Sequence, residues 1–600
     1  ESGSSSHTLM KVRFMRRSFQ WTIILGVLPA LTLGVAACGG DDSSGGETGS
    51  NKGTPAEGKK GGKLTELWTD DVDNIDPGIT YYQMGFQVAQ ATQKALYGYN
   101  VDNATDAIPD LAESDPQVSD DGKTVTVKIK TGVKFSPPVN REVTSKDVKY
   151  AIERGFFNTV NNGYAGAYFG DLEGAKVGAK PGTKISGITT PDDQTIEFHL
   201  KKGTGGVLAG ALVLPLSAPV PEEYAAKFDK KNPSVYGQNQ VATGPYMIKN
   251  DASGKATGYQ AGRNITLVRN PNWDASKDFR PAYLDEIDMP QGNDDTTVAS
   301  RKILDGNGMA NGDFSPPPAI LKQAVTRQKD QLKLVPSGGG RWVAMNTTIK
   351  PFDNVNVRRA VIAGFDRNAM RLTRGGELIG DIPTHFIPPG LLGFDEAGGL
   401  EGSGIDFLSK PDGDAALAAE YFKKAGYASG KYEGNEEFLM VGTAEGVAQK
   451  AAEVAKENFE KMGFKIRLRL VTQDAMYTKF CNSPPAKVAI CPNVGWLKDF
   501  ANPQTYLDPT FNGENILQTG NSNWPQLNDK ALNKQMDDAK TLTEPEEQAK
   551  AWGEIDKKLS EDAASVPWVW DKDPLIASKD VNAVASANNG QWDLSFTSLK

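Results

Sequence analysis

Residues 447–470 place two periodicities back to back. From 447 to 462 the apolar side chains recur at three- and four-residue steps, as on one face of a helix. Lys465-Ile466-Arg467-Leu468-Arg469-Leu470 then alternates strictly, as in a strand with one covered face. A helix feeding directly into a strand requires helices layered on a sheet, and helical spacing recurs at 357–372, 415–425 and 546–559. The second half of the chain is therefore expected to be α/β.

The region before residue 215 reads differently. Ser119-Asp120-Asp121-Gly122 followed by alternation from Thr124 to Ile129 has the turn chemistry and period of a hairpin, and Thr190-Pro191-Asp192-Asp193 before Thr195 to Leu200 repeats it. Between them Thr144-Ser145-Lys146-Asp147 is a capping-box start, followed by Val148, Ala151 and Ile152 at helical spacing. This predicts a more antiparallel subdomain. Residues 63–68 alternate like a strand and lead into four aspartates, Asp70, Asp71, Asp73 and Asp76. A calcium loop would place oxygen ligands at alternate positions around a central glycine, and Ile75 breaks that pattern. A turn whose carboxylates accept backbone N–H groups fits better.

Composition narrows the function. Sixty-six basic against 75 acidic residues give a net charge of −9 without a dense basic tract, which argues against a nucleic-acid partner. Only three histidines and three cysteines occur in 600 residues, so histidine-based catalysis and zinc sites are disfavoured. No Gly-x-Ser-x-Gly elbow or His-Glu-x-x-His motif is present, and Gly53 to Lys59 has phosphate-loop spacing but Lys60 where a hydroxyl is required. No cofactor and no metal site is expected.

Lys11, Arg13, Arg16 and Arg17 precede a mostly apolar run, 21–37, that ends in Val35-Ala36-Ala37-Cys38. A basic stretch, a short apolar stretch and small residues form a secretory signal, too short and interrupted for a permanent span. The cysteine after the small residues resembles the bacterial lipobox, which implies that Cys38 is lipidated and anchors the protein to the outer face of the cell membrane. Met10 or Met15 is the expected start. Residues 39–62 hold almost nothing apolar and are expected to be a flexible linker spanning about 25–30 Å.

The order of segments resembles the bacterial extracellular solute-binding proteins of family 5, receptors of peptide-type ABC importers. The resemblance runs from about Gly61 to Lys600. It is carried by Pro109-Asp110-Leu111-Ala112-Glu113-Ser114, the Asp121-Gly122 hairpin, Gly132-Val133-Lys134-Phe135, Val143 to Tyr150, Ala242-Thr243-Gly244-Pro245-Tyr246 and Arg269-Asn270-Pro271. Asn346 with Pro351-Phe352-Asp353, Val357-Arg358-Arg359-Ala360, and Gly495-Trp496 with Asp499 complete it. It implies an α/β, two-lobed periplasmic-binding-protein-like fold of type II, with an extra subdomain in lobe I and a hinge between lobes. Mapped here, residues 1–38 are the signal with its lipobox and 39–62 the linker. Lobe I takes 63–98, 215–337 and 569–600, the extra subdomain 99–214, and lobe II 338–568. The implied function is capture of a short peptide between the lobes, by a monomer, and delivery to an ABC permease. A non-peptide solute, such as an oligosaccharide or metal chelate, is the alternative within that class; a secreted hydrolase or an adhesive surface lipoprotein lies outside it.

In peptide-binding relatives the residue matching Trp496 lines the pocket and the one matching Asp499 accepts the ligand's α-amine; here Lys498 is a competitor for Asp499. Tyr81 and Tyr82 sit where relatives place cleft-facing residues, and neighbours on an extended chain point apart, so at most one of the two is expected to line the site. Trp342 and Asn346, four apart on an extended segment, share a face and are further ligand-binding candidates. For all six, packing or capping is the competing reading. Cys481 and Cys491, ten apart in an exported chain, read as a disulfide. His199, on an expected strand, reads as structural, and His385 lies in a loop without an assigned role.

Overall fold

The computed structural model describes Met10–Lys11 and residues 58–600 other than Glu445. Cys38 and residues 12–57, with the expected export signal and most of the linker, lie outside the described residues.

The first lobe is built on a mixed sheet. Its strands run in the order Tyr259–Gln260, Asn264–Arg269, Glu286–Pro290, Lys63–Leu67, Met309–Asn311, with Tyr246–Ile248 also paired to Asn264–Arg269. Lys63–Leu67 is central and parallel to both neighbours, so it is covered on both faces: Leu64, Glu66 and Leu67 are all buried. Chain order begins slightly earlier than residue 63, because Lys59 bridges to Leu599. The aspartates that follow do act as backbone acceptors, Asp73 from the Tyr81 N–H and Asp76 from the Gly78 N–H.

On this lobe sits an antiparallel subdomain, its sheet ordered Met10–Lys11, Gln117–Val118, Thr124–Lys128, Thr195–His199, Ile188–Thr189. Thr124–Lys128 buries Val125 and Val127, leaves Thr124 and Thr126 half-buried and exposes Lys128. Gly122 takes φ +66° in the turn, where a Cβ would also stand 2.7 Å from the Gly203 carbonyl oxygen, so the position admits only glycine. Ser145–Gly155 is the expected capped helix, with the Thr144 N–H donating to Asp147 Oδ2 at 2.8 Å.

The second lobe has a six-stranded sheet ordered Gly380–Asp381, Ser565–Ile576, Leu332–Met345, Ile490–Leu497, Glu437–Thr443, Lys465–Val471. Glu437–Thr443 and Lys465–Val471 are parallel and joined through helix Gly446–Lys461, the unit read from residues 447–470. The helix expected at 357–372 is two, Val355–Gly364 and Arg367–Arg374. The break falls where Asp366 caps the second helix, its Oδ1 accepting the Ala369 N–H at 2.7 Å.

Two long strands carry the chain between lobes. Leu332–Met345 and Ser565–Ile576 pair antiparallel along their length, with register shifts between Pro336 and Gly340 and between Arg341 and Trp342, the first being the longer break. On one side of that break Leu575 joins the first lobe's core; on the other Val343, Val566 and Val569 join the second lobe's. Ser337, Gly338 and Gly339 occupy the irregularity, and Gly338 has φ +72°. No helix among the described residues is long and apolar enough to cross a membrane.

Candidate functional site

A cavity of about 990 Å³ lies between the lobes, within the range of small-molecule sites. The first lobe contributes the turn after the aspartates and the start of helix Gln83–Thr92; the subdomain contributes Tyr164; the second lobe contributes residues around Tyr477 and the segment from Gly495 to Asp499.

Four of the six candidate residues border this cavity: Tyr81, Tyr82, Trp496 and Asp499. Both tyrosines border the cavity, contrary to the expectation of at most one; Tyr82 is the N-cap of helix Gln83–Thr92, with extended backbone at φ −85° and ψ 149°. Tyr81 is 40% and Tyr82 61% exposed. The Tyr81 ring stacks on Tyr164 at 4.7 Å, and Tyr164 stacks on Tyr168 at 6.0 Å, giving a three-ring ladder that crosses into the subdomain. Trp496 stands at the far end of strand Ile490–Leu497; its Nε1 donates to the Thr505 carbonyl at 2.8 Å, which fixes the indole beside Trp524, 6.1 Å away.

Asp499 is reached from the subdomain, where the Tyr168 hydroxyl donates to its Oδ2. Burial pushes the Asp499 carboxyl up to about 7, against the opposing pull of the Tyr168 and Tyr164 hydroxyls. Lys498 does not compete for it. Its Nζ points away, donating to the Ala104 carbonyl at 3.0 Å and the Gly390 carbonyl at 3.4 Å, and burial brings this ammonium down to about 7. No lysine, arginine or histidine among the described residues pairs with Asp499.

Trp342 and Asn346 are not brought to the cavity. Trp342 is 1% exposed, enclosed by the Phe386, Tyr506, Phe511 and Trp524 rings. The Asn346 side chain donates to the Val488 carbonyl and accepts from the N–H and hydroxyl of Thr348, closing the end of a crossover strand. The face that carries Trp342 is covered by packed side chains, and Asn346 follows the strand's last residue, Met345, and is buried as well, so their spacing gives no access to solvent. His385 is also interior, its Nδ1 2.8 Å from Asp556 Oδ2, and His199 ends its strand 3.7 Å from Glu197.

Sequence reading missed Tyr164, Tyr477, Asn482 and Trp524, which also line the cavity. Tyr477 lies in a π-helical turn, Met476–Cys481, and Asn482 Oδ1 accepts from Trp524 Nε1 at 2.7 Å. Cys481 and Cys491 are disulfide-bonded in the structure, tying this turn to the strand that carries Trp496. Wide-turn distortions of this kind are frequent at functional sites.

Known proteins resemble this chain over nearly its whole described length. OppA of Bacillus subtilis, named an oligopeptide-binding protein, is 26% identical over 505 residues, covering 82% of this chain and 84% of that protein. Heme-binding protein A of Haemophilus influenzae is 25% identical over 472 residues, covering 78% and 79%. The solved structure of clavulanic acid biosynthesis oligopeptide binding protein 2 superposes with a TM-score of 0.77 at 25% identity, covering 90% of this chain and 96% of that one. Residues 106–518 match the sequence pattern of the bacterial extracellular solute-binding proteins, family 5. With two lobes joined by two crossover strands around a large cavity, this chain belongs to that family.

Proposed function

We propose that the chain is the exported receptor of an ABC importer, capturing short peptides between its lobes and delivering them to the membrane permease. The observation that carries this reading is the Asp499 carboxylate at the cavity, beside the Trp496 wall and without a cationic partner among the described residues. A peptide α-ammonium supplies the missing charge, and an ion pair shielded from water is stronger than one in bulk solvent. The oligopeptide-binding relative in Bacillus subtilis supports the same ligand class. In this reading lobe I comprises 63–98, 215–337 and 569–600 with the subdomain 99–214, and lobe II comprises 338–568. Trp496, Asp499, Tyr81 and Tyr82 contact the ligand, Cys38 carries the lipid, and the monomer releases its ligand chemically unchanged.

A second reading is a flat metal chelate. It is favoured by the aromatic rings of Trp496, Trp524 and Tyr477 on one wall and by the heme-binding relative. Native mass spectrometry of the purified protein with its co-purified ligand decides between them. A ladder of peptide masses is the expected result; a single chelate mass overturns the peptide reading.

A further inference from the structure

The segment after strand Ile490–Leu497 belongs to the second lobe by chain and by sheet, yet Phe500 within it is 2% exposed and lies in the hydrophobic core of the first lobe's subdomain. Its ring meets Tyr168 edge-on at 5.0 Å. Its neighbours cross the same gap: Lys498 donates to Ala104, Asp499 accepts from Tyr168, and the Ala501 N–H donates to the Tyr99 hydroxyl at 3.1 Å.

The socket that receives Phe500 is made by a missing side chain. Helix Gly205–Ala211 of the subdomain presents Gly206 and Gly210, four apart and so on one face, to the second lobe. A Cβ on Gly210 would find Phe500 ring atoms as its three nearest neighbours, the first at 2.8 Å. One on Gly206 would meet Leu542, Gln548 and Thr543, again from the second lobe. Neither position is crowded first by its own lobe. Gly210 has an ordinary helical φ, and glycine there costs helix stability relative to alanine, so local structure does not explain it.

We infer that the Phe500 ring seated on Gly210 is a latch between the lobes, built from protein alone, whose fit sets the balance of open and closed forms and through it the affinity for ligand. Opening withdraws an aromatic ring from an apolar core into water, which the closed form avoids. A ligand bound between the lobes gains from any closure the protein already favours, because apparent affinity scales with the competent fraction. Phe500 and Gly210 are positioning residues in this scheme and do not touch the ligand.

Gly210→Ala, Phe500→Ala and the double variant test the latch in the full chain. The readouts are the radius of gyration by X-ray scattering without added ligand, the thermal midpoint, and trialanine affinity by calorimetry. Gly210→Ala is expected to keep or raise the thermal midpoint, enlarge the radius of gyration and weaken trialanine binding about tenfold, the signature of a lower competent fraction. A merely structural glycine would lower the midpoint and leave the lobes' separation unchanged. In the Phe500→Ala background, Gly210→Ala is expected to change neither scattering nor affinity further, since its clash partner is gone, while the helix still gains stability from alanine. Phe500→Leu replaces Phe500→Ala if the latter unfolds. Scattering and affinity unchanged in both single variants, or equal effects of Gly210→Ala on scattering and affinity in both backgrounds, overturn the proposal. If trialanine binds neither wild type nor variants, the peptide reading is at fault, and scattering alone decides the latch.

Discussion

Tyr168 of the subdomain donates its hydroxyl to Asp499 of the second lobe, 331 residues further along the chain. One carboxylate thus serves two partners in turn, a phenol across the cleft and the proposed ligand ammonium. With burial holding it up to about 7, its protonation changes within the physiological range.

Affinity for ammonium-bearing peptides should therefore depend on pH with a definite sign. The protonated acid cannot form the ion pair, so affinity falls by about tenfold per unit as pH drops below 7 and levels off above it. Stability of the protein alone runs the other way. A carboxyl raised on folding contributes stability fully below its unfolded value near 4, and loses it as pH climbs through 7. Asp499→Asn should flatten both curves. Calorimetric titrations and urea melts from pH 5.5 to 8.5 measure them, and parallel slopes in the variant would count against the assignment.

Arg154 is fully buried between Asp76 and Asp229, bound to both carboxylates through its guanidinium. Arg154→Ala leaves two uncompensated interior charges and should cost about 3–5 kcal/mol. Against the upward push of burial, Arg154 together with Ser234 and Tyr150 holds Asp229 below its ordinary range. Its share of stability is present at neutral pH and lost as pH falls below about 4 through that depressed value. Urea denaturation of wild type at pH 7 and pH 3, beside the variant at pH 7, tests both statements.

Replacing Cys481 and Cys491 by serine should lower stability by about 2–3 kcal/mol through the loop-closure entropy of the unfolded chain. The cavity wall should respond as well. The Trp524 indole N–H is bound to Asn482, next to Cys481, so its fluorescence should shift on reduction of the wild type and not of the variant.

Gly338→Ala places a side chain at φ +72° with its Cβ 2.7 Å from Lys498 Cε. The left-handed backbone alone should cost about 1–2 kcal/mol, read as a lower urea midpoint. The clash with Lys498 should also speed ligand release in stopped-flow measurements.

Local chemistry made the elements readable. The Asp121-Gly122 turn with Val125 and Val127 alternating, and the helix and strand over 446–471, are specified by residues adjacent in sequence. Of the cavity's border, Tyr81, Tyr82, Trp496 and Asp499 were legible in the sequence, the last two through the short motif from Gly495 to Asp499. Tyr164 and Tyr168 come from a subdomain helix more than 300 residues away, and nothing in their spacing distinguishes a cavity wall from a core. Phe500 shows the same limit more sharply: an apolar residue beside a strand reads as buried, but the sequence does not say in which lobe. Trp342 and Asn346 lie away from the cavity because four aromatic rings cover the face that carries Trp342, and because Asn346, just past the strand, ties its amide to Val488 and Thr348.

The two crossover strands are paired with each other on both sides of the register shift between Pro336 and Gly340, from Leu332 opposite Ile576 to Ala344 opposite Ser565, with a second, shorter shift between Arg341 and Trp342. A pair of separate tethers would let the lobes twist, slide and bend. A laced ribbon resists sliding, and its longest unpaired stretch is Ser337 to Gly339. Paired strands hold the two connections at a fixed spacing, so relative motion of the lobes bends both crossings together and cannot change one without the other.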